Sequence, residues 1–540
     1  MVVGDDSQSI YSFRGANIMN ILGMEKVYPN LTVHKLERNY RSTYTITEAA
    51  NSIIRKNQRQ IPKDVFTENE RGDLIRLLEC HSDYEESYTV ATDINSSIHR
   101  YHDNYSDYAI LYRTNAQSRV FEEALRKRNI PYRIYGGLSF YQRKEVKDAV
   151  AYFRLVCNPD DDEALRRIIN YPARGIGDTT LNKITSFAIE HGLSMWQVIS
   201  TDAVDNLNVN SGTKKKLLAF VELVEGMMEK NGAGADAYEM ATEIIKKTGL
   251  LSILLTDRTP ESISKQENLN ELINAASSFV NSQREEGREA EVSLGDFMSE
   301  VSLTSDLDGH GEGENKDTVT LMTVHSAKGL EFKHVYIVGM EKDLFPSSLS
   351  MSSPEEYEEE RRLMYVALTR AMKTCTISFA RERYRNGQPV HSVVSPFVGE
   401  IDPKYLEDGF AGSRIRSTET TAPFSSGFSQ RWNSQSREYG ASRQRKWSDG
   451  WKKSSENQSP RLIVKEKTAE RENKAASDPD YRVHALSELE TGMVIDHSRF
   501  GRGKIVETEK NEFGDRIVVN FNKFDQKTLL LKFARFKLID

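Results

Sequence analysis

Cysteine is scarce in this sequence, which has only three in 540 residues. Cys80, Cys157 and Cys375 lie far apart in the chain, so a CxxC metal or redox site is excluded. A sparse, odd set of cysteines is typical of a reducing compartment. No apolar run of about 18 residues occurs, and no charged-then-apolar leader opens the chain. We therefore expect a cytoplasmic protein without a membrane segment.

Net positive charge is lacking as well. The chain has 73 Lys and Arg against 80 Asp and Glu, which gives a formal net charge of -7. Any contact with nucleic acid must therefore rely on local basic tracks rather than on overall attraction. Hydrophobic residues make up 38% and charged residues 28% of the chain, as in a protein with several cores. At this length, roughly three to four domains are expected.

The polar chemistry is concentrated in two neighbouring stretches. In the first, the apolar runs 319–324 and 335–339 predict buried strands, and a polar loop from His325 to Glu331 lies between them. Continuous apolar runs are typical of a parallel sheet covered on both faces. Loops between the strands of such a sheet commonly present ligand-binding groups, so this loop is a candidate site.

The second stretch, residues 358–371, predicts a helix. Leu363, Val366 and Ala367 share one apolar face by their spacing. Arg370, seven residues after Leu363, is expected on that same face. A buried arginine is costly unless it has an anionic partner, so this position predicts an anion nearby.

These stretches resemble motifs V and VI of the UvrD/Rep/PcrA group of superfamily 1 DNA helicases, most of all its PcrA-type members. The matching residues are TVHSAKGLEF at 323–332 and YVALTRA at 365–371. Residues 3–16, VGDDSQSIYSFRGA, resemble motif III, and residues 36–43, LERNYRST, resemble motif IV. Four motifs in this order are a specific signal, and the resemblance covers nearly all the chain apart from a linker near its end.

The resemblance implies an α/β fold with a P-loop-NTPase-like motor domain built on a parallel sheet. An all-helical insertion would interrupt this domain, and a disordered linker and a small Tudor-like β-barrel would follow it. The expected segments are a remnant of the first motor domain (1–34), the first part of the second motor domain (35–135), the helical insertion (136–315), the second part of the second motor domain (316–410), the linker (411–483) and the Tudor-like, partner-binding domain (484–540).

Local patterns agree with this division. Between residues 136 and 315 strand patterns disappear, and helices are predicted at 146–157, 165–170, 181–190, 214–229 and 269–281. The linker is rich in Ser, Arg, Gln and Asn but contains Trp432, Trp447 and Trp451 among basic residues. A solvated tether is one interpretation, and transient stacking on single strands or partner docking is the other.

No G-x-x-x-x-G-K-[ST] loop, which would hold nucleotide phosphates, occurs in the sequence. The Asp-Glu pair that would hold Mg²⁺ before motif III is also absent. We therefore expect the C-terminal part of a helicase, with residues 1–34 as the last strand and helix of the first motor domain. The implied cofactors are ATP and Mg²⁺, with the magnesium ligands expected in the missing part, and no metal site is expected here. The chain alone is expected not to hydrolyse ATP.

The resemblance assigns roles to individual residues. Tyr40 would stack on adenine, Glu331 would bind the ribose, and Gln8 would sense the terminal phosphate. The residues expected at the nucleotide are Gln8, Arg41 and Arg370 as catalytic groups and Arg14, Tyr40 and Glu331 as binding groups. Those expected at DNA are Tyr11, Phe13 and His325 on the single strand and Gly175, Gly177 and Thr179 on the duplex.

Some of these assignments have plainer alternatives. Phe13 could be a core residue and Arg14 a surface residue. Gly175 and Gly177 lie one residue apart and can turn backbone amides toward a phosphate, ahead of a helix N-terminus. The same segment could instead be an ordinary helix start with Asp178 as its cap. The sequence leaves both interpretations open.

The function implied is an ATP-dependent 3′–5′ DNA helicase of repair or replication. Its partners would be single-stranded DNA, junctions of single and double strands, and RNA polymerase through the C-terminal domain. One alternative is a non-catalytic protein that keeps the DNA and polymerase surfaces. A helicase-nuclease subunit is a narrower option, but the chain ends in a linker and a small β domain rather than a nuclease domain.

Overall fold

A seven-stranded sheet forms the centre of the fold. Its parallel strands follow the order β1-β6-β5-β2-β4-β3, and β7 pairs with β6 in the antiparallel direction. The sheet confirms the predicted parallel α/β architecture. The strands are β1 (Arg76–Ser82), β2 (Tyr108–Tyr112), β3 (Tyr132–Ile134), β4 (Val319–Thr323), β5 (Phe332–Ile337), β6 (Ala371–Arg385) and β7 (Gln388–His391).

The computed structural model describes residues 1–257, 259–308, 317–385, 387–407, 486–497, 501–510, 515–521, 526–531, 534 and 536–539. All of them belong to one unit made of Met1–Glu407 and Ala476–Asp540. The predicted linker, including Trp432, Trp447 and Trp451, lies outside the described residues. In the part that is described, no helix is both long and apolar enough to cross a membrane.

Sixteen α-helices occur among the described residues. They are α1 (Met19–Leu22), α2 (Met24–Val27), α3 (Tyr44–Ile54), α4 (Asp83–Tyr101), α5 (Ser118–Lys127), α6 (Lys144–Cys157), α7 (Asp162–Ile168), α8 (Asp178–His191), α9 (Met195–Ser200), α10 (Ser211–Gly232), α11 (Ala237–Lys247), α12 (Leu250–Thr256), α13 (Pro260–Glu285), α14 (Leu294–Asp308), α15 (Pro354–Leu368) and α16 (Pro396–Glu400).

The apolar runs of the sheet are explained by helices that cover it. Every residue of β2 is buried. Helices α4 and α5 pack on the side chains of Tyr108, Ile110 and Tyr112, and α3 and α15 contact each other and β6. Because both faces lose their access to water, the strands need not alternate apolar and polar residues.

Helices α6 to α14 are inserted between β3 and β4. Each of the five helical segments predicted there overlaps one of them, and no strand occurs among the described residues from 136 to 308. The insertion has its own core, in which Tyr152, Phe153, Phe220 and Leu272 are at most 1% exposed. It is held to the main sheet by the β6–β7 turn, since the Asn274 side chain bonds both Tyr384 O (3.0 Å) and Gly387 N (2.7 Å).

The prediction of a strand near the N-terminus is wrong. Residues 1–5 form no strand, and short 3-10 turns follow at Asp6–Gln8 and Ser12–Arg14. Val2 and Val3 are 72% and 74% exposed. A strand needs a neighbour to satisfy its backbone groups, and no described segment pairs with these residues. The two helices that follow, α1 and α2, are single turns.

A second, antiparallel sheet follows near the C-terminus, with the order β11-β10-β9-β8-β12. Tyr84 and Tyr88 of α4 pack against its core, and Lys527 approaches Glu286 at 3.5 Å. The C-terminal sheet therefore contacts both α4 and the insertion, while its Tudor-like closure stays a prediction. The strands are β8 (Val494–His497), β9 (Gly501–Glu509), β10 (Arg516–Phe521), β11 (Gln526–Leu530) and β12 (Phe536–Ile539).

Candidate functional site

The polar loop between β4 and β5 connects opposite edges of the parallel sheet. His325 comes just after the carboxyl end of β4, whereas Glu331 directly precedes the amino end of β5. Arg370 directly precedes β6 and so lies at the same edge as Glu331. Because these strands run in one direction, Glu331 and Arg370, which were predicted to bind nucleotide, lie at one edge, and His325, which was predicted to bind single-stranded DNA, lies at the other. Residues 324–331 link the two edges.

Arg41 is brought to the amino edge of the sheet. Its Nε donates to Glu331 Oε2 at 2.5 Å and its Nη1 donates to the carbonyl of Thr369 at 3.2 Å. The predicted residues Arg41, Glu331 and Arg370, which are far apart in sequence, therefore share one site. Ser42 fixes the segment to the sheet, since its hydroxyl donates to the carbonyl of Ala371 at 2.7 Å.

Arg370 is buried, with 2% of its surface exposed, but it does not lie in the predicted helix. Helix α15 ends at Leu368, because β6 begins at Ala371 and the chain must turn first. Its guanidinium donates to the carbonyls of Val366 (3.1 Å) and Leu330 (3.0 Å) and to a hydroxyl, and it has no ion pair with a described carboxylate.

The electrostatics of Arg370 reflect this lack of a carboxylate. Burial, together with the nearby charge of Arg41, lowers the pKa of Arg370 to about 10. Both causes disfavour the positive charge, and the charges of Tyr365, Glu331 and Asp5 compensate only in part. An anion bound between the two guanidinium groups would relieve the repulsion. The site is therefore suited to a phosphate.

Tyr40 remains open to solvent, with 75% of its surface exposed. The guanidinium of Arg38 lies 4.8 Å from the centre of its ring, and Arg38 is itself ion-paired with Glu68. Such a cation–π contact fixes the orientation of an exposed ring. A flat ligand can then stack on the ring with little further ordering.

Gln8 is held by the residues before it. Its Nε2 donates to Asp5 Oδ2 at 2.6 Å, and Asp5 Oδ1 accepts from Lys63 Nζ at 2.5 Å. Lys63 also bonds Asp6 at 2.9 Å, and the amide of Ile61 donates to Asp6 at 2.9 Å. Asp6 is 3% exposed and ties the first ten residues to the loop before β1.

An aromatic cluster lies at the carboxyl edge. The rings of Phe13 and His325 meet edge to face at 5.3 Å, and the Tyr11 hydroxyl donates to the carbonyl of His325 at 2.9 Å. Phe13 is 45% exposed, which decides against a core role for it. Arg14 is also exposed, and its guanidinium lies 5.5 Å from the Phe13 ring. Arg14 thus sits with the predicted DNA residues rather than beside Arg41 and Arg370.

His325 is uncharged at neutral pH. Burial, and then the positive charges of Arg113 and Arg14, lower its pKa to about 3. Its ring therefore offers a neutral aromatic face and a nitrogen acceptor, while Arg14 supplies the positive charge of this edge. Lys328 adds a second positive charge, since its Nζ lies 5.4 Å from the centre of the Tyr11 ring. Such a mixture of flat rings and cations suits a nucleic-acid strand.

Two comparisons with protein families agree with this arrangement. Residues 34–382 match the model described as UvrD-like helicase C-terminal domain, and residues 1–29 match the UvrD/REP helicase N-terminal domain. The chain belongs to the UvrD-like helicase family.

Relatives of this UvrD-like chain carry the name ATP-dependent DNA helicase PcrA. The protein of Staphylococcus aureus (strain Mu50 / ATCC 700699) is 39% identical over 82% of this chain and 59% of its own length. That of Leuconostoc citreum is 38% identical over 78% of this chain and 56% of its own length. The chain thus spans less than two thirds of these relatives.

The sequence did not identify three basic residues that hold the first ten residues of the UvrD-like chain in place. Lys63 holds Asp5, Lys328 Nζ donates to the carbonyl of Gln8 at 2.9 Å, and Arg362 Nε donates to the carbonyl of Ser9 at 3.0 Å. The position of Lys328 inside motif V could have suggested it. Nothing in the local pattern marks Lys63, because its partners lie 57 and 58 residues away.

The predicted duplex contacts lie in the insertion of the UvrD-like chain. Gly175 has φ +72°, which favours glycine, and its carbonyl accepts from Lys216 at 3.3 Å. Helix α8 begins at Asp178 with Gly177 as its N-cap and no side-chain cap bond. The interpretation of Asp178 as the cap is wrong, since it occupies the first helical position. Thr179 follows in the first turn, and its DNA contact stays a prediction.

The described residues of the UvrD-like chain form no magnesium site. Among them, no group of three or more His, Cys, Asp or Glu side chains could hold a metal ion. Asp5 and Asp6 are neighbours, but both carboxylates are engaged by Lys63. The described residues therefore do not fit a Mg²⁺ ion.

Proposed function

We propose that the protein supplies part of the motor of an ATP-dependent 3′–5′ DNA helicase that moves along single-stranded DNA in repair or replication, in the cytoplasm. The observation that carries this proposal is the buried guanidinium of Arg370, which lies near Arg41 and has no described carboxylate partner. A buried cation in this setting is stabilised when an anion binds beside it. The terminal phosphate of ATP is the anion proposed.

At the nucleotide edge, Arg41 and Arg370 would act together. Positive charges beside a transferring phosphoryl group stabilise the charge that develops in the transition state. Arg41 is ion-paired with Glu331 in the structure, so nucleotide binding would exchange this pair for contacts to phosphate and ribose. Tyr40, held by Arg38, would stack on the adenine.

At the opposite edge, Tyr11, Phe13 and His325 would contact the bases of single-stranded DNA. Stacking on aromatic rings tolerates any sequence because every base has a π-face. Arg14 would supply the positive charge that attracts the phosphate backbone. In the insertion, the turn at Gly175 and Gly177 with Thr179 would contact the duplex ahead.

Coupling between the edges would pass through residues 324–331 and the first turns of the chain. Lys328 in this loop bonds the carbonyl of Gln8, and Tyr11 bonds the carbonyl of His325. A change at Gln8 on nucleotide binding would therefore reach the aromatic cluster through two hydrogen bonds. The C-terminal sheet, as a Tudor-like domain, would bind RNA polymerase.

A second candidate is a non-catalytic protein that binds DNA and RNA polymerase. The observation that favours it is the lack of a metal-ligand cluster among the described residues. It would use the same aromatic cluster but would not turn over ATP under any condition.

To test this proposal, the N-terminal domain of the Staphylococcus aureus relative is added to the chain as a separate polypeptide. Phosphate release is measured with and without single-stranded DNA, and unwinding is measured on duplexes with a 3′ or a 5′ tail. We expect turnover only when both polypeptides are present, and unwinding only from the 3′ tail. The two halves of the relative itself are the positive control. If that control turns over ATP and the mixed pair does not, while the chain still binds DNA, the second candidate is correct.

A further inference from the structure

A cleft of about 470 Å³ lies at the start of α3, apart from the residues assigned above. None of the predicted nucleotide or DNA residues lines it. The cleft is shallow and open to solvent, so a ligand would lie against its wall rather than be enclosed. Its lining residues are Tyr44, Asn69, Arg71, Lys404 and Tyr405.

One wall of the cleft is aromatic. Tyr44 is 43% exposed, and the buried ring of Tyr405 meets it edge to face at 6.5 Å and 75°. Tyr405 is held in turn, because its hydroxyl donates to Glu48 at 3.4 Å. The Tyr44 ring is therefore supported from behind while part of its surface stays open to a stacking partner.

The other groups of the cleft are polar and mostly positive. Arg71 is exposed and forms no ion pair with any described carboxylate. Lys404 is paired with Asp402 at 2.9 Å, but the Lys404 side chain is 63% exposed, so the pair can exchange for another anion. Asn69 donates its Nδ2 to the carbonyl of Ser42 at 3.0 Å, which leaves its Oδ1 as an acceptor.

A supported aromatic ring, an amide acceptor and two cations form a set that recognises a base attached to a phosphate. The ring stacks on the base, the amide oxygen accepts from an exocyclic amino group, and the cations bind the phosphate. We propose that this cleft is a second nucleotide-binding site, which takes one base and its 5′-phosphate, either as a free mononucleotide or as one unit of a single strand. It shares no lining residue with the ATP and DNA sites proposed above.

The position of the cleft gives such binding a consequence for the first site. Asn69 bonds the carbonyl of Ser42, and Ser42 directly follows Arg41. A ligand that engages Asn69 therefore acts on the segment that presents Arg41 to Glu331. A ligand in the cleft would therefore change the position of Arg41 at the nucleotide edge, although no residue contacts both ligands.

The test uses the whole chain with its tyrosines replaced by 3-fluorotyrosine. The ¹⁹F signal of Tyr44 is assigned with Tyr44→Phe, and that of Tyr28, which is 58% exposed, is assigned with Tyr28→Phe as the matched control. AMP, inorganic phosphate and an oligo(dA) of twelve nucleotides, whose base carries the exocyclic amino group, are titrated separately. We expect AMP or the oligonucleotide to shift the Tyr44 signal in a saturable way, with no shift at Tyr28 and none with phosphate alone.

Variants separate this site from the others. Arg71→Gln should weaken the titration at Tyr44 about tenfold, whereas Tyr40→Ala should leave it unchanged. Tighter binding of the oligonucleotide than of AMP identifies a strand as the ligand, and the reverse identifies a free nucleotide. The proposal is overturned if no ligand shifts Tyr44 at millimolar concentration, if Arg71→Gln has no effect, or if Tyr40→Ala abolishes the shift. The last outcome would assign the signal to the ATP site.

Discussion

Arg41 and Glu331, 290 residues apart in the chain, form an ion pair at 2.5 Å at the amino edge of the parallel sheet. The pair balances part of the positive charge that Arg41 and Arg370 bring together. Glu331 is half-exposed, so the pair itself contributes little to stability. Its main effect is on the local charge that an incoming phosphate meets.

Removal of this carboxylate should strengthen the response to anions. In Glu331→Gln, two guanidinium groups remain without their nearest carboxylate, so pyrophosphate should raise the melting temperature more than it does in the unchanged chain. Thermal melts at several pyrophosphate concentrations measure this. Glu163→Gln, which breaks an exposed pair with Arg154 in the insertion, is the matched control and should respond like the unchanged chain. Equal responses in all three proteins would contradict an anion site here.

The chain by itself should not turn over ATP. The 540 residues contain no G-x-x-x-x-G-K-[ST] loop, and the described ones contain no cluster for a metal. We expect no DNA-stimulated phosphate release from the purified chain above that of its Arg370→Ala variant. A difference between the two proteins would show that catalytic groups were overlooked.

Arg370 should matter for turnover more than for folding. With an N-terminal domain supplied, Arg370→Lys should keep ATP binding and lose turnover by about 10³-fold or more, because a lysine cannot reproduce the bonding geometry of a guanidinium. Steady-state rates and nucleotide binding are measured together.

Arg361→Lys is the matched control, since Arg361 is a buried arginine of α15 that bonds Glu400 at 2.7 and 3.0 Å. It should lower the melting temperature and leave the rate per folded molecule nearly unchanged. A rate for Arg370→Lys equal to that of the unchanged protein, or a loss of folding instead of rate, would assign Arg370 a structural role.

Much of the fold was accessible from the sequence, because periodicity and apolar runs report burial directly. The strands around His325 and the helices of the insertion follow from such patterns. The end of α15 did not, since the apolar spacing continues to Arg370 although the chain must turn into β6. The strand expected near Val3 failed for a different reason, because a strand depends on a neighbour that no local pattern reveals.

The site was only partly accessible for the same reason. Motif resemblance identified Arg41, Glu331 and Arg370, and the structure brings them together. It did not show that His325 and Glu331 lie at opposite edges, which depends on the direction of β4 and β5. Nor did it identify Lys63, whose role comes from a long-range contact with Asp5.

His325 should make the stability of the chain depend on pH. Its pKa is about 3 in the folded protein against an ordinary value of 6.5, so the unfolded chain binds the proton more readily. The stability that comes from keeping this ring neutral is complete above pH 6.5 and is lost as the pH falls toward 3. Below pH 6.5 the free energy of unfolding should fall by up to about 1.4 kcal/mol per pH unit from this group.

Urea unfolding between pH 7 and pH 5 checks this in His325→Phe and the unchanged chain. The variant should lose less stability over this range. His99→Gln, at an exposed position of α4, is the matched control and should follow the unchanged chain. Parallel curves for His325→Phe and the unchanged chain would mean that the ring is protonated as readily in the folded protein as in the unfolded one.

The C-terminal sheet should fold alone and bind a protein partner. Its core side chains come from its own segment, including Ile495, Ile505, Ile517 and Phe536, each at most 1% exposed. We therefore expect residues 484–540 to unfold cooperatively as an isolated fragment. Contact with Tyr84 and Tyr88 adds to this core but does not build it, so Tyr88→Ala in the whole chain should leave the unfolding of the C-terminal sheet nearly unchanged.

The proposed partner is RNA polymerase, and deletion of residues 484–540 should abolish its co-purification with the chain. Binding of single-stranded DNA, measured by fluorescence anisotropy, should stay nearly unchanged, because the aromatic cluster at Phe13 and His325 lies on the main sheet. A pull-down that survives the deletion would place the polymerase surface elsewhere. A collapse of DNA binding on deletion, without loss of the fold, would mean that the C-terminal sheet belongs to the DNA track instead.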